Sequence, residues 1–409
     1  MTEARCRNCS APLSATFADL GMSPLSNAFI QPSDVSRMEP FYPLHAWVCG
    51  NCRLVQLEEF ESPQHIFSNY LYFSSFSESW LRHAEIYAKA MTARFGLGAG
   101  SMVVEVASND GYLLQYFQQQ GCRVLGVEPA ANVAEVAVNK GIPSEVAFFG
   151  RETATWLRAK SFAADQMAAN NVLAHVPDLN DFIAGFAILL KPEGVATFEF
   201  PHLLRQIELT QFDTIYHEHF SYLSLHVVHR LFRAHGLRVF DVEELSTHGG
   251  SLRVFACLHA AAHVDGPAVA AVLTKETAAG LEEDAVYAAF TDQVVRIKLD
   301  LLRFLIDAKS AGKRVVAYGA PAKGNTLLNY CGVGPELIAF TVDRSPHKQN
   351  TLLPGTRIPV RAPEALLDEK PDYVLILPWN LRQEIIMQME TIREWGGKFV
   401  VPIPSLQVF

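Results

Sequence analysis

Apolar and polar positions along this chain follow two rhythms. From Met102 onward, short apolar runs recur at Met102–Val106, Arg123–Val127, 166–169 and 195–200, with amphipathic stretches between them. That alternation predicts buried parallel strands separated by helices, an α/β layer structure. Ahead of it, Leu81, Ile86, Tyr87, Ala90 and Met91 fall near helical spacing and predict a helix over Glu78–Phe95, closed by the Gly-rich 96–101 stretch. A second helical pattern covers 267–310. The strand rhythm then returns at Val315–Tyr318, 337–341, 373–377 and 399–401. Residues 1–75 are rich in turn formers, with short strand signals at Tyr42–Val48 and 53–57.

The pattern implies three units: 1–75, a small turn-rich head; 76–265, an α/β core; and 266–409, a second Rossmann-like α/β unit. The chain has 409 residues, 49% of them hydrophobic, enough to bury several cores. Its formal net charge of −9 and the lack of any Lys/Arg cluster argue against a nucleic acid as the main partner. No apolar run suits a bilayer span or a secretory leader, so a cytoplasmic protein free of the membrane is expected, as a monomer or weak oligomer.

Seven cysteines change the picture at the N-terminus. Cys6-x-x-Cys9 and Cys49-x-x-Cys52 form two tight pairs, while Cys122, Cys257 and Cys331 stand singly. Two such turns offer four thiolates, the ligand set of a tetrahedral Zn²⁺ site with no open position. A structural zinc is therefore expected, and no catalytic metal.

The first strand of the core runs into Val-Val-Glu-Val-Ala-Ser-Asn-Asp-Gly over 103–111. A lean loop before a helix lets backbone amides approach a nucleotide ligand. The candidate contacts are Glu105, Ala107, Asn109, Asp110 and Gly111. Glu128, after the next strand, is placed to accept from ribose hydroxyls. Ala107 and Asn109 stand where glycines are usual, which tilts the loop away from NAD. Downstream, Asn-Val-Leu-Ala-His-Val-Pro-Asp over 171–178 and Leu-Leu-Lys-Pro-Glu-Gly over 189–194 resemble the signatures of class I methyltransferases. The resemblance implies S-adenosylmethionine as cofactor, with Asn170 and Asn171 added to its contacts.

Asp-Thr-Ile-Tyr-His-Glu-His-Phe-Ser-Tyr-Leu-Ser, 213–224, is the densest polar and aromatic cluster. Two readings are open from the residues alone. His217 and His219 with Glu218 form a metal site, or His219 is a general base oriented by Glu218. Histidine suits deprotonation of an acidified carbon because its pKa lies near neutrality.

These motifs, with His-Gly-Gly-Ser-Leu-Arg at 248–253, Tyr-Gly-Ala-Pro-Ala-Lys-Gly at 318–324 and Asp343 followed by Lys348-Gln-Asn350, resemble the deoxysugar C-methyltransferase family over nearly the whole chain. The resemblance implies methylation of a ring carbon beside the ketone of a nucleotide-linked 4-keto-6-deoxy sugar, dTDP being the expected carrier. It also implies His219 as the base, Tyr216 and His175 at the enolate oxygen or the sugar, and Glu218 orienting the site. Tyr70 and Tyr72 would close over the sugar, and His248 is a further substrate-binding candidate. Lys323, Asn325, Lys348, Trp379 and Asn380 would hold the nucleotide end. Two competitors stand beside this reading: an NAD-dependent oxidoreductase using the C-terminal turn, and a zinc-knuckle nucleic-acid methyltransferase.

Overall fold

The computed structural model describes residues 4–62 and 73–409. Among the described residues three sheets organise the fold, and seventeen strands supply them. The head contributes β1 (Ala15–Ser23), β2 (Tyr42–Val48) and β3 (Val55–Leu57). The core contributes β4 (Met102–Val106), β5 (Arg123–Val127), β6 (Ser144–Glu145), β7 (Ala164–Asn170), β8 (Leu190–Pro201), β9 (Ser221–Tyr222), β10 (Leu237–Leu245) and β11 (Ser251–Leu258). Beyond them come β12 (Val315–Tyr318), β13 (Thr341–Val342), β14 (Val360–Arg361), β15 (Tyr373–Ile376), β16 (Lys398–Val401) and β17 (Gln407–Val408).

The central sheet has the order β6-β5-β4-β7-β8-β11-β10, with β11 antiparallel to both of its neighbours. Strand period decides its two faces. Met102, Val104 and Val106 enter one apolar core, while Val103 enters the core on the other face. The chain leaves β4 toward β5 on one side and meets β7 on the other, so a crevice opens at the carboxyl ends of β4 and β7. The third sheet repeats the device in the order β14-β13-β12-β15-β16-β17, with its crevice at the ends of β12 and β15.

The Glu78–Phe95 helix forms as its spacing predicts. Ser77 caps it by accepting from the Trp80 amide at 3.3 Å, and Gly96 ends it in the left-handed region. The 267–310 pattern is two helices, Pro267–Ala278 and Asp284–Ser310, parted at Gly280. In the second, Tyr287, Phe290, Val294, Ile297, Leu301, Leu305 and Ala308 make one buried stripe. Phe17 of β1 stacks on Phe290 with ring centres 4.3 Å apart, so head and C-terminal unit share a core. The 337–341 run is strand only from Thr341, because the Leu337 and Ile338 amides are turned back onto the Gly334 carbonyl. β1 and the β10–β11 hairpin were not read from the sequence.

The head is not a separate bead. Its sheet has the order β1-β2-β3-β9, and β9 comes from the 213–224 segment.

Candidate active site

The cysteines converge. All four sulfurs lie within 4.8 Å of one another, with Cys6–Cys52 and Cys9–Cys49 each at 3.5 Å. A tetrahedral zinc with bonds of about 2.3 Å separates its sulfurs by about 3.8 Å, so the set fits that ion. Both turns are built alike. The amide of the first Cys donates to the residue five on, and its carbonyl accepts from the residue four on. That fourth residue, Ser10 or Arg53, has positive φ. Gln56 Nε2 donates to Cys6 Sγ at 3.2 Å, the kind of second contact that steadies a thiolate.

The cofactor loop closes the β4 crevice. Ala107, Asn109 and Gly111 all have positive φ, so the two glycine-like places are left-handed in fact as well as in pattern. A Cβ at Gly111 would also press on Ile142 at 3.1 Å. Glu128 accepts from the amides of Asn109 and Ala130, both at 2.9 Å, and burial raises its pKa. Glu105 is wholly buried, and burial, then the Glu128 charge, pushes its pKa well up. Four buried polar atoms gather at this crevice without a hydrogen-bond partner among the described residues. They are Glu105 Oε2, Asp110 Oδ1, Asn170 Oδ1 and Asn171 Nδ2. Leaving such groups unpaired costs about 1–3 kcal/mol each, a deficit that a polar ligand removes. Ser74 and Ser75 lie over the loop, bonded to Asn109 and Asp110, and Lys140 meets Asp110 at 2.9 Å. Neither serine nor Lys140 carried a sequence signal.

The 213–224 segment folds back between the two crevices. Thr214 carbonyl accepts from His219 Nδ1 at 3.0 Å, so the ring's hydrogen sits on Nδ1 and Nε2 is its basic atom. Tyr216 hydroxyl lies 2.7 Å from that Nε2 and donates to it. His175 packs edge-on against His219, ring centres 4.7 Å apart, and its Nδ1 donates to the Glu218 carbonyl at 2.7 Å. Burial holds both rings neutral, with His175 at about 4 and His219 well below its usual value. The Glu218 side chain turns elsewhere, accepting from Asn27 at 2.7 Å. Thr214 orients His219, and Glu218 serves His175 through its backbone. His217 points into the head, donating to the Pro43 carbonyl at 3.1 Å, so the His217–His219 metal reading fails. Among the described residues the four cysteines are the one metal-competent group.

Residues from the second crevice meet the same loop. Lys323 donates to Asn380 at 2.9 Å and lies over the Trp379 ring at 4.5 Å. Trp379 in turn donates to Asp213 at 2.7 Å. Asn325 donates to the Ser26 carbonyl at 2.6 Å, and Lys348 to Ala320 at 2.9 Å. His248, at a turn with φ of 55°, packs on Trp80, and burial lowers its pKa to about 4. Tyr70 and Tyr72 lie outside the described residues. Asp213 and Asn27 were missed as site residues. So was the buried Glu199, bound by Arg253 at 2.6 Å and His83 at 2.9 Å at the end of β8.

In the glycine turn of the C-terminal unit, Asp343 accepts from the Ala320 amide at 2.7 Å, so that amide is taken by the chain itself. A Cβ at Gly319 would lie 2.6 Å from Pro378, so close packing requires glycine there.

Family models match along the chain: "Putative zinc binding domain" over 6–67, "Methyltransferase domain" over 80–242 and "C-methyltransferase C-terminal domain" over 246–404. C-methyltransferase NovU of Streptomyces niveus is 38% identical over 98% of this chain and 96% of its own. This chain belongs to the deoxysugar C-methyltransferase family. It is an S-adenosylmethionine-dependent C-methyltransferase with a class I α/β core, and the oxidoreductase alternative falls. Among solved structures it is similar to a S-adenosylmethionine-dependent methyltransferase from Mesorhizobium loti (15% identity, 41% of this chain, 97% of that one, TM-score 0.33). Magnesium protoporphyrin IX methyltransferase from Synechocystis scores alike (14%, 43% and 78%, TM-score 0.32), and neither likeness adds to the family match. No helix among the described residues is long and apolar enough to cross a membrane.

Proposed function

We propose that the enzyme methylates a carbon beside the ketone of a nucleotide-linked 4-keto-6-deoxy sugar, with dTDP as carrier, and that Tyr216 and His219 act together as the base. The observation carrying this is the chain from Thr214 carbonyl through both nitrogens of His219 to the Tyr216 hydroxyl. The carbon proton passes to the phenolic oxygen as the phenolic proton passes to Nε2. The net result is an enolate beside a cationic His219. Burial keeps His219 neutral until the opposite charge forms next to it. His175, held by the Glu218 carbonyl, faces the same space and orients the sugar.

S-adenosylmethionine supplies a methyl group already activated by its sulfonium. Glu105, with its unpartnered oxygen, suits the ammonium of the methionine part, and Glu128 keeps lone pairs for a ribose diol. Asn170 and Asn171, at the end of β7, offer a buried unpartnered oxygen and amide nitrogen to the same cofactor. Cys6, Cys9, Cys49 and Cys52 would hold one structural Zn²⁺, with no position left for chemistry.

The test is mass spectrometry on a panel of dTDP-linked 4-keto-6-deoxyhexoses with S-adenosylmethionine in D₂O. A 14 Da gain confined to a keto sugar, with deuterium entering beside the ketone in the presence of S-adenosylhomocysteine, is expected. Methylation without any dependence on the ketone would remove the reading.

A further inference from the structure

Lys323 sits in the first turn of the Ala322–Cys331 helix, directly after the β12 crevice. From there a diphosphate at the glycine turn is the obvious partner. The geometry gives it a different one. Its ammonium crosses the face of Trp379 and spends one hydrogen on Asn380, both of which follow β15. The indole N–H of Trp379 is fixed by Asp213, the residue before the Thr214 carbonyl that holds His219. Thr326, one turn along the same helix, donates to the Ile215 carbonyl at 2.9 Å. The backbone at Gly249 abuts the far edge of the indole, where an added Cβ would lie 2.5 Å from Cη2, and this brings in the His248 turn. Two separate contacts thus tie the amine's surroundings to the loop that bears the base, and a third ties them to the His248 turn.

Charge around that amine is sparse. His175, His219 and His248 are all held neutral. Arg253 is consumed by Glu199 and Glu243, and Lys348 acts on Glu218. Burial lowers the pKa of Lys323 and the Asp213 charge opposes that shift; burial also lowers His248 and His219, with the Lys323 charge adding to both. Asp213 is wholly buried, with Oδ1 lacking a hydrogen-bond partner among the described residues. Proton transfer makes His219 cationic on the carbon side of the enolate, but no imidazole brings a resting charge to the ketone oxygen, and the ammonium keeps two hydrogens after serving Asn380.

We propose that the Lys323 ammonium binds the ketone oxygen of the sugar and carries the enolate charge, with Asp213 as a positioning residue acting through Trp379. When the Tyr216–His219 pair removes the proton, the C–H electron pair becomes the second bond between the two carbons. The C=O π pair moves to oxygen, where Lys323 holds it without giving up its own proton. That pair returns as the carbon takes the methyl group, and the electrons of the broken C–S bond stay on sulfur. The assignment rests on the keto-sugar reading above.

Deuterium exchange beside the ketone, with S-adenosylhomocysteine bound and saturating dTDP-linked 4-keto-6-deoxyhexoses, isolates the step. Lys323→Gln should slow exchange by about 100-fold or more while the sugar nucleotide's Kd stays within about threefold. Lys323→Arg, which keeps the charge, should recover part of the exchange. A Kd raised more than about tenfold with exchange at saturation unchanged would place Lys323 on the diphosphate and overturn the assignment. Asp213→Asn supplies a second route should Lys323→Gln fold poorly. It should lower exchange with an altered pH profile, and an unchanged rate and profile counts against the network. Exchange lost in His219→Asn but intact in Lys323→Gln sinks the lysine alone. No exchange by the wild type across the panel removes the keto-sugar reading and the lysine's role with it.

Discussion

Tyr216 hydroxyl points its hydrogen at His219 Nε2 across 2.7 Å, and the opposite nitrogen of that ring is committed to Thr214. The two side chains are three residues apart, and in the proposed mechanism they share one proton path.

His219→Asn and Tyr216→Phe should each lower kcat by about 10³-fold, because general acid–base transfer contributes about 10²–10⁴-fold. The double variant should be little slower than either single one, since both remove the same path. Additive losses, measured by single-turnover methylation, would show two independent roles. Affinity for S-adenosylmethionine should stay near wild type in all three.

The same burial sets a pH dependence. His219 titrates well below its ordinary value and His175 at about 4. The proposed base is therefore ready throughout the neutral range, and kcat should be flat from about pH 7 to 8, while burial pushes the Asp213 carboxyl up to about 6 and sets any limb below that. In a pH–rate profile, an acid limb centred near 6.5 that persists in Asp213→Asn would contradict the buried, neutral imidazole.

Glu105 should release a proton when the cofactor binds. Burial pushes its pKa well up in the free enzyme, and a neighbouring ammonium pulls it down. Calorimetric titration in buffers of different ionisation enthalpy should detect the release, and Glu105→Gln should abolish it while weakening binding by about tenfold. Buffer-independent heats for the wild type would place the ammonium elsewhere.

Stability should fall in acid through Glu276. This buried carboxylate accepts from His202 at 2.7 Å, from His226 at 2.6 Å and from the amides of Leu225 and His226, which lowers its pKa to about 2. A depressed carboxylate stabilises the fold above its unfolded pKa, and that stability is lost as pH falls from about 4.5 toward 2. The amount is on the order of 3 kcal/mol. Glu276→Gln should remove most of it, so that denaturation midpoints of variant and wild type converge near pH 2.

Elemental analysis should find one zinc per chain. Cys49→Ser, or chelation of the wild type, should lower the melting temperature because metal binding and folding of the head are coupled. Metal-free protein with an unchanged melting curve would remove the ion from the account.

Legibility followed distance along the chain. The Glu78–Phe95 helix was readable because its stripe, its Ser77 cap and its Gly96 stop are all local. The cysteine site was readable because two i,i+3 turns state their own geometry, and only their meeting is long-range. Asp213 stood inside a segment singled out for its chemistry, yet its partner Trp379 is 166 residues away and nothing nearby announces it. The Gly319 turn looked open to a phosphate from sequence, since only the fold brings Asp343 and Pro378 into it. The β10–β11 hairpin was missed although Gly249-Gly250 sits between two alternating runs, a turn signal that went unused.

The pairing of β9 with β3 has a consequence for exchanging parts between relatives. Ser221 and Tyr222 leave the base-bearing loop to complete the head's sheet, three residues from Cys52. At the loop's other end, Ile215 is tied to the C-terminal unit through Thr326. A chimera cut at the linear borders of the head would separate one strand from its sheet and release the base from one of its two anchors. Heads and catalytic loops should therefore transplant only as pairs, and substrate preference should travel with the pair.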